Sequence, residues 1–176
     1  MAIDADKAKQ LTSRMIPILS ARLPASAHPL LALLKLEQTL SVAAFADGIS
    51  QTALDACIMT AGRHLAGLAD ILEEGHPVRG IALVELGKLL AVDEPAPSRT
   101  PSSFPPSGPA RLKMAYDTLV KARGELLIGF GRENEGGEVG RAVRENIVAL
   151  ERELGVWTTG VRNVLEDSLV KLSGKG

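Results

Sequence analysis

An all-α fold is predicted, and three observations carry the prediction. First, apolar residues recur at three- and four-residue intervals through most of the chain, the spacing of one helical face. Second, the hydrophobic share is 45% but the aromatic share only 3%, so the core must be built from Leu, Ala, Val and Ile. Packed helices use that palette, whereas strands favour β-branched and aromatic residues. Third, Pro and Gly punctuate the chain at intervals that leave helix-length segments between them. A single helical domain over residues 1–176 is expected, with five or six helices in antiparallel, tetratricopeptide-like hairpins.

The first helix is expected from Asp4 to Arg22, capped by Asp4, with Ala8, Leu11, Met15, Ile18 and Leu19 on one side and Pro17 kinking or interrupting it. Pro24-Ala25-Ser26 ends that segment. A second helix opens at His28-Pro29, with Pro in the tolerated first position, and closes at Asp47-Gly48. Ser50 is placed to cap a third, which carries Leu54, Cys57, Ile58, Ala61, Leu65, Leu68 and Leu72 and stops at Gly75. The fourth runs from Pro77 to about Val92, with Val78, Ile81, Ala82, Leu86 and Leu89 on one face.

Residues 93–109 differ in kind. Six prolines (95, 97, 101, 105, 106 and 109) lie among Ser, Thr and one Gly, so neither helix nor sheet is expected and the segment reads as a flexible insertion. Its PxxP spacing over 106–109 and its Thr100-Pro101 pair fit docking or phosphorylation as well as a plain linker.

The fifth helix is expected from Pro109 or Ala110 to about Phe130, with Leu112, Ala115, Leu119, Ala122, Leu126 and Phe130 as an amphipathic stripe. Gly131 and Gly136-Gly137 bracket a polar turn. The last helix is the longest, and Val143, Ile147, Leu150, Leu154, Trp157, Val161 and Val164 hold a heptad phase. That face packs into its own bundle or forms a homodimer seam, and Gly155 is the expected bend. An internal echo joins His28-Pro29-Leu30 to His76-Pro77-Val78, each with Glu nine residues after the His.

Composition excludes several functions. A net charge of -1 gives no footprint for nucleic acid. One cysteine, Cys57, excludes an internal disulfide and a Cys-built zinc site, which fits a reducing compartment. The first residues lack the pattern of a signal peptide, and the longest uninterrupted apolar run is Pro29–Leu34, so no membrane span is expected. His28, His64 and His76 are too scattered for a metal centre, and the two His-Pro pairs read as helix caps. The glycine runs match no phosphate-binding motif. Glu125, Glu133, Glu135 and Glu138 read as a solvated acidic turn. Arg111, Lys113, Lys121 and Arg123 on the fifth helix suit either an acidic peptide or charge pairs with Asp117 and Glu125.

Several short runs, in order, resemble the C-terminal helical region of SET- and MYND-domain (SMYD-type) protein lysine methyltransferases. They are Gly62-Arg63, Gly75-His76-Pro77-Val78-Arg79-Gly80, Gly87-Lys88-Leu89, Ala115-Tyr116-Asp117 and Gly131-Arg132-Glu133-Asn134, the last with Asn where the family has His. The resemblance covers about half the chain and implies a tetratricopeptide-like, non-catalytic interaction module, cytoplasmic and/or nuclear. It implies protein or acidic-peptide partners, with chaperones among those the family contacts. S-adenosylmethionine and zinc are implied only if SET and MYND segments lie upstream, because neither signature is present in this sequence. Arg79, Lys88, Tyr116, Lys121 and Arg123 are the partner-binding residues expected on this reading, in part from the resemblance and in part from charge. The alternatives are a standalone scaffold dimerising through the 143–164 face and a fragment of a full-length methyltransferase.

Overall fold

The computed structural model describes residues 5–96 and 104–173, with side chains described for 6–96 and 104–155. All its regular structure is helical: α1 (Ala5–Ser20), α2 (His28–Asp47), α3 (Gln51–Ala69), α4 (Pro77–Leu90), α5 (Pro109–Gly129) and α6 (Gly137–Ser173). The proposed cap Asp4 lies outside the described residues, as do 97–103 of the insertion.

Extensive packing joins consecutive helices, and the broadest contact is α4 on α5. Contacts between helices two apart complete the arrangement. Lys35 on α2 pairs with Glu85 on α4 at 2.8 Å, and Arg111 on α5 approaches Asp55 on α3 to 3.9 Å. The helices therefore pack chiefly on their neighbours in sequence, with single side-chain contacts reaching from α2 to α4 and from α5 to α3. The repeated His-Pro signals at 28 and 76 stand at the starts of α2 and α4.

Glycine sets the α4–α5 seam. A Cβ at Gly80 would come within 2.9 Å of Leu126, and one at Gly87 within 2.6 Å of Leu119. Ala115, Leu119, Ala122 and Leu126 are fully buried against this seam together with Val143 of α6. Those close approaches also fix the rotation of α4. Its buried residues are Arg79, Gly80, Ala82, Leu83, Val84, Gly87 and Leu90, while Val78 and Ile81 face solvent. The expected face at 78, 81, 82, 86 and 89 is corrected accordingly, because turning the glycines toward α5 turns Val78 and Ile81 away.

A similar correction applies to α1. Thr12 and Ile16 are buried and Leu19 partly so, whereas Leu11, Met15 and Ile18 remain exposed. Leu30 and Leu34 of α2 pack on the Ile16 side. Thr12 tolerates burial because its hydroxyl donates to the carbonyls of Ala8 and Lys9. Pro17 does not interrupt the helix, which runs on to Ser20.

The caps are mostly those expected. The Ser50 hydroxyl accepts from Ala53 N at 3.2 Å, and His76 Nδ1 accepts from Val78 N at 3.2 Å. His28 is different: it is the first residue of α2, and Ala27 occupies the cap without a side-chain bond. α3 ends at Ala69, short of Gly75, which lies in the following turn with φ +87°. The turn 131–136 uses positive φ at Gly131, Glu135 and Gly136. α6 is continuous past Gly155. Its Val143, Ile147 and Leu150 are buried on α5, so the first positions of the proposed dimer seam are already covered. Trp157, Val161 and Val164 lie outside the described side chains.

α2 is long and apolar enough, by length and composition, to cross a membrane. Here it lies among α1, α3 and α4, with Lys35 paired to Glu85 and Glu37 to Arg63.

Candidate functional site

Two of the cations expected to bind partners are structural. Arg79 is buried; its Nη1 donates to Leu72 O at 3.2 Å, and its Nε sits 3.1 Å from Glu125 Oε1. The pair is close without an aligned hydrogen bond, since both Glu125 oxygens are buried and lack such a partner. Arg79 thereby ties the α3–α4 turn to α5 and presents no face to a ligand. Glu125, expected in a solvated turn, is instead core.

Arg111 is the largest fully buried side chain. Nε donates to Leu90 O at 2.9 Å and Nη2 to Leu89 O at 3.0 Å, closing the C-terminus of α4. Nη1 lies 3.8 Å from Glu94 and 3.9 Å from Asp55. Burial lowers the Arg111 pKa, and the two carboxylates oppose that shift. The Glu94 carboxylate in turn accepts from Ser107 Oγ at 2.6 Å and from Gly108 N at 2.7 Å. The proline-rich insertion is thus fastened at its base, and Gly108 at the cap of α5 is held by a residue fourteen positions earlier. Arg111 has no free surface with which to grip a peptide.

The remaining expected residues are accessible to different degrees. Tyr116 is half-buried and donates to Glu151 at 3.1 Å across α5 and α6, a bond that raises its pKa. Lys113 lies 5.6 Å from its ring and pairs with Asp117. Arg123 is half-buried, and its Nε is enclosed without a partner. Lys88 and Lys121 are exposed, and neither has an ion pair among the described residues. The structure does not bring them together: Lys88 lines the α2–α4 groove, and Lys121 the grooves along α5.

The α2–α4 groove, of about 350 Å³, is the better built of these surfaces. Lys35 Nζ donates to both oxygens of Glu85, at 3.1 and 2.8 Å, and Gln38 Nε2 donates to Glu85 Oε2 at 2.9 Å. Val42, Leu89 and Val92 supply apolar lining, and Lys88 stands among them. His64 on α3 belongs to the same electrostatic group. Burial lowers its pKa; Lys35 lowers it further and Glu85 opposes them. Sequence reading missed Gln38, His64 and Glu85 as one group, although Glu85 and Glu37, which pairs with Arg63, stand at matching places in the two echoed helices.

A pH prediction follows from His64. Its folded pKa lies below the unfolded value of about 6.5, so the unfolded chain takes the proton first. Stability is therefore full above that pH and falls on acidification through it, by up to about 1.4 kcal/mol per unit. Urea melts at several pH values should show this decline, and His64→Gln should flatten it.

Cys57 is fully buried, and burial raises its thiol pKa, which fits an inert core residue. Among the described residues, no group of three or more His, Cys, Asp or Glu is placed to hold a metal ion. No family model, curated protein or solved structure matches this chain.

Proposed function

We propose that this protein is a non-catalytic helical interaction module whose partner is an acidic segment of another protein. The carrying observation is how its cations are divided. Arg79 and Arg111 are buried in structural contacts, while Lys88 and Lys121 stand exposed and unpaired among the described residues, each beside a groove between helices. Stacked helical hairpins offer such grooves to extended or helical peptides. The packing of each helix on the next is consistent with a tetratricopeptide-like array.

The relation to the C-terminal region of SET- and MYND-type methyltransferases is part of this proposal and rests on motif order. Much of that motif set also has a structural role here: Gly80 and Gly87 admit α5, His76 caps α4, and Gly131 turns the chain. A scaffold dimerising through α6 is the weaker reading, since Val143, Ile147 and Leu150 are already buried on α5.

The test is a fluorescence-anisotropy titration with a labelled Glu-rich peptide at low and high salt. Affinity should fall as salt rises, because the recognising charges are exposed. It should also fall when Lys88 and Lys121 are both changed to Glu, with helicity unchanged. Salt-independent binding, or none at low salt, would contradict the reading.

A further inference from the structure

The groove between α2 and α4 has polar lining residues already satisfied from within. The Lys35 ammonium and the Gln38 amide both donate to the Glu85 carboxylate. Gln38 is buried, so this network is part of the fold. Lys35 and Glu85 cancel each other's charge, and the buried His64 adds none when neutral. That leaves Lys88 as the one uncompensated charge in the groove. Val42 is 40% exposed, and Leu89 is partly exposed. The groove thus combines exposed apolar walls with a single positive charge, and a neutral floor that does not compete for a ligand.

We infer that this groove is the partner site, and that it takes one carboxylate side chain flanked by aliphatic residues in an extended segment of another protein. The aliphatic groups seat on Val42, Leu89 and Val92, and the carboxylate meets Lys88. A segment of several acids gains nothing in the groove beyond its first carboxylate, because only one uncompensated cation lines it. A basic segment meets Lys88 with like charge. This inference rests on the interaction-module reading and goes beyond it by excluding the α5 surface as the principal site.

The test uses the full chain and three blocked tripeptides, Leu-Glu-Leu, Leu-Gln-Leu and Leu-Lys-Leu, titrated into isotopically labelled protein. Methyl and amide NMR signals report where each binds. The Leu-Glu-Leu probe should shift Val42, Leu89 and Val92 and bind more tightly than the other two. Lys88→Glu should weaken it about two- to fivefold, the range an exposed ion pair supplies, and should improve binding of Leu-Lys-Leu. Lys88 is exposed, so the variant should fold, and its unperturbed spectrum outside the groove verifies this. Shifts centred on Lys121 and the α5 face would overturn the groove assignment while leaving an interaction module in place. Equal response to all three probes, or no shift at the groove at millimolar peptide, would overturn the assignment itself. Loss of binding to both these probes and the Glu-rich peptide would remove the module reading as well.

Discussion

Glu125→Leu is expected to cost about 3–5 kcal/mol, because it leaves the Arg79 guanidinium buried without its carboxylate. The side chains of Arg79 and Glu125 are only 10% and 6% exposed, so solvent does little to compensate. Nothing nearby replaces the lost charge, since Glu74 approaches Arg79 only at 3.6 Å and is itself largely exposed. Against a typical total stability of about 5–15 kcal/mol, such a loss removes a large part of the folding free energy. The double variant Arg79→Met with Glu125→Leu should recover most of it, because paired apolar replacements relieve desolvation. Guanidinium melts of the wild type, both single variants and the double variant measure this directly. Additive losses would show that the two residues act separately.

Arg111→Met should be comparably damaging for a different reason. The substitution keeps much of the aliphatic volume but frees the carbonyls of Leu89 and Leu90 at the buried end of α4. It also withdraws the cation near Glu94 and Asp55. Buried polar groups left without partners cost about 1–3 kcal/mol each, so a total near 3–5 kcal/mol is expected. At about 2–4 °C per kcal/mol for a domain of this size, the melting temperature should drop by roughly 10 °C. Arg111→Lys should rescue little, since an ammonium lacks the planar fork that reaches both carbonyls and the carboxylates. A calorimetric scan showing full stability in Arg111→Lys would mean that charge alone, and not the fork, closes this end of the helix.

These two arginines mark the boundary of what the sequence made legible. Helix number and most helix ends were readable because Pro29, Pro77 and Pro109 open helices and Gly48 closes one. The α5 stripe was readable because all six of its positions are apolar at helical spacing, and four of them are fully buried where the glycines of α4 face it. The rotations of α1 and α4 were not. Each helix carries two apolar faces, and the choice between them depends on the neighbour: Leu30 and Leu34 select Ile16, and Leu119 and Leu126 select the glycines. Charged residues were read as surface by residue type, which misplaced Arg79, Arg111 and Glu125. Helical phase held the missing signal, since Arg111 lies four residues before Ala115 and Glu125 three after Ala122, both on the buried stripe.

The same distinction shaped the reading of the candidate site. The resemblance and charge together grouped Arg79, Lys88, Tyr116, Lys121 and Arg123, but their places in the fold separate them. Of these five, Lys88 and Lys121 are exposed without a partner among the described residues, and Lys88 lies beside the hydrogen-bond network that joins α2 to α4. No local pattern in the sequence announces that network, because its members come from α2 and α4, about fifty residues apart.

The most direct measurement is the melting temperature of the full chain with and without a saturating Glu-containing aliphatic peptide. A ligand at about one hundred times its dissociation constant stabilises the folded state by ~2.7 kcal/mol. For a domain of this size that is a rise of about 5–10 °C, which should shrink in Lys88→Glu. No rise at any peptide concentration, or an equal rise with the Lys-containing peptide, would contradict an interaction module that recognises acidic partners.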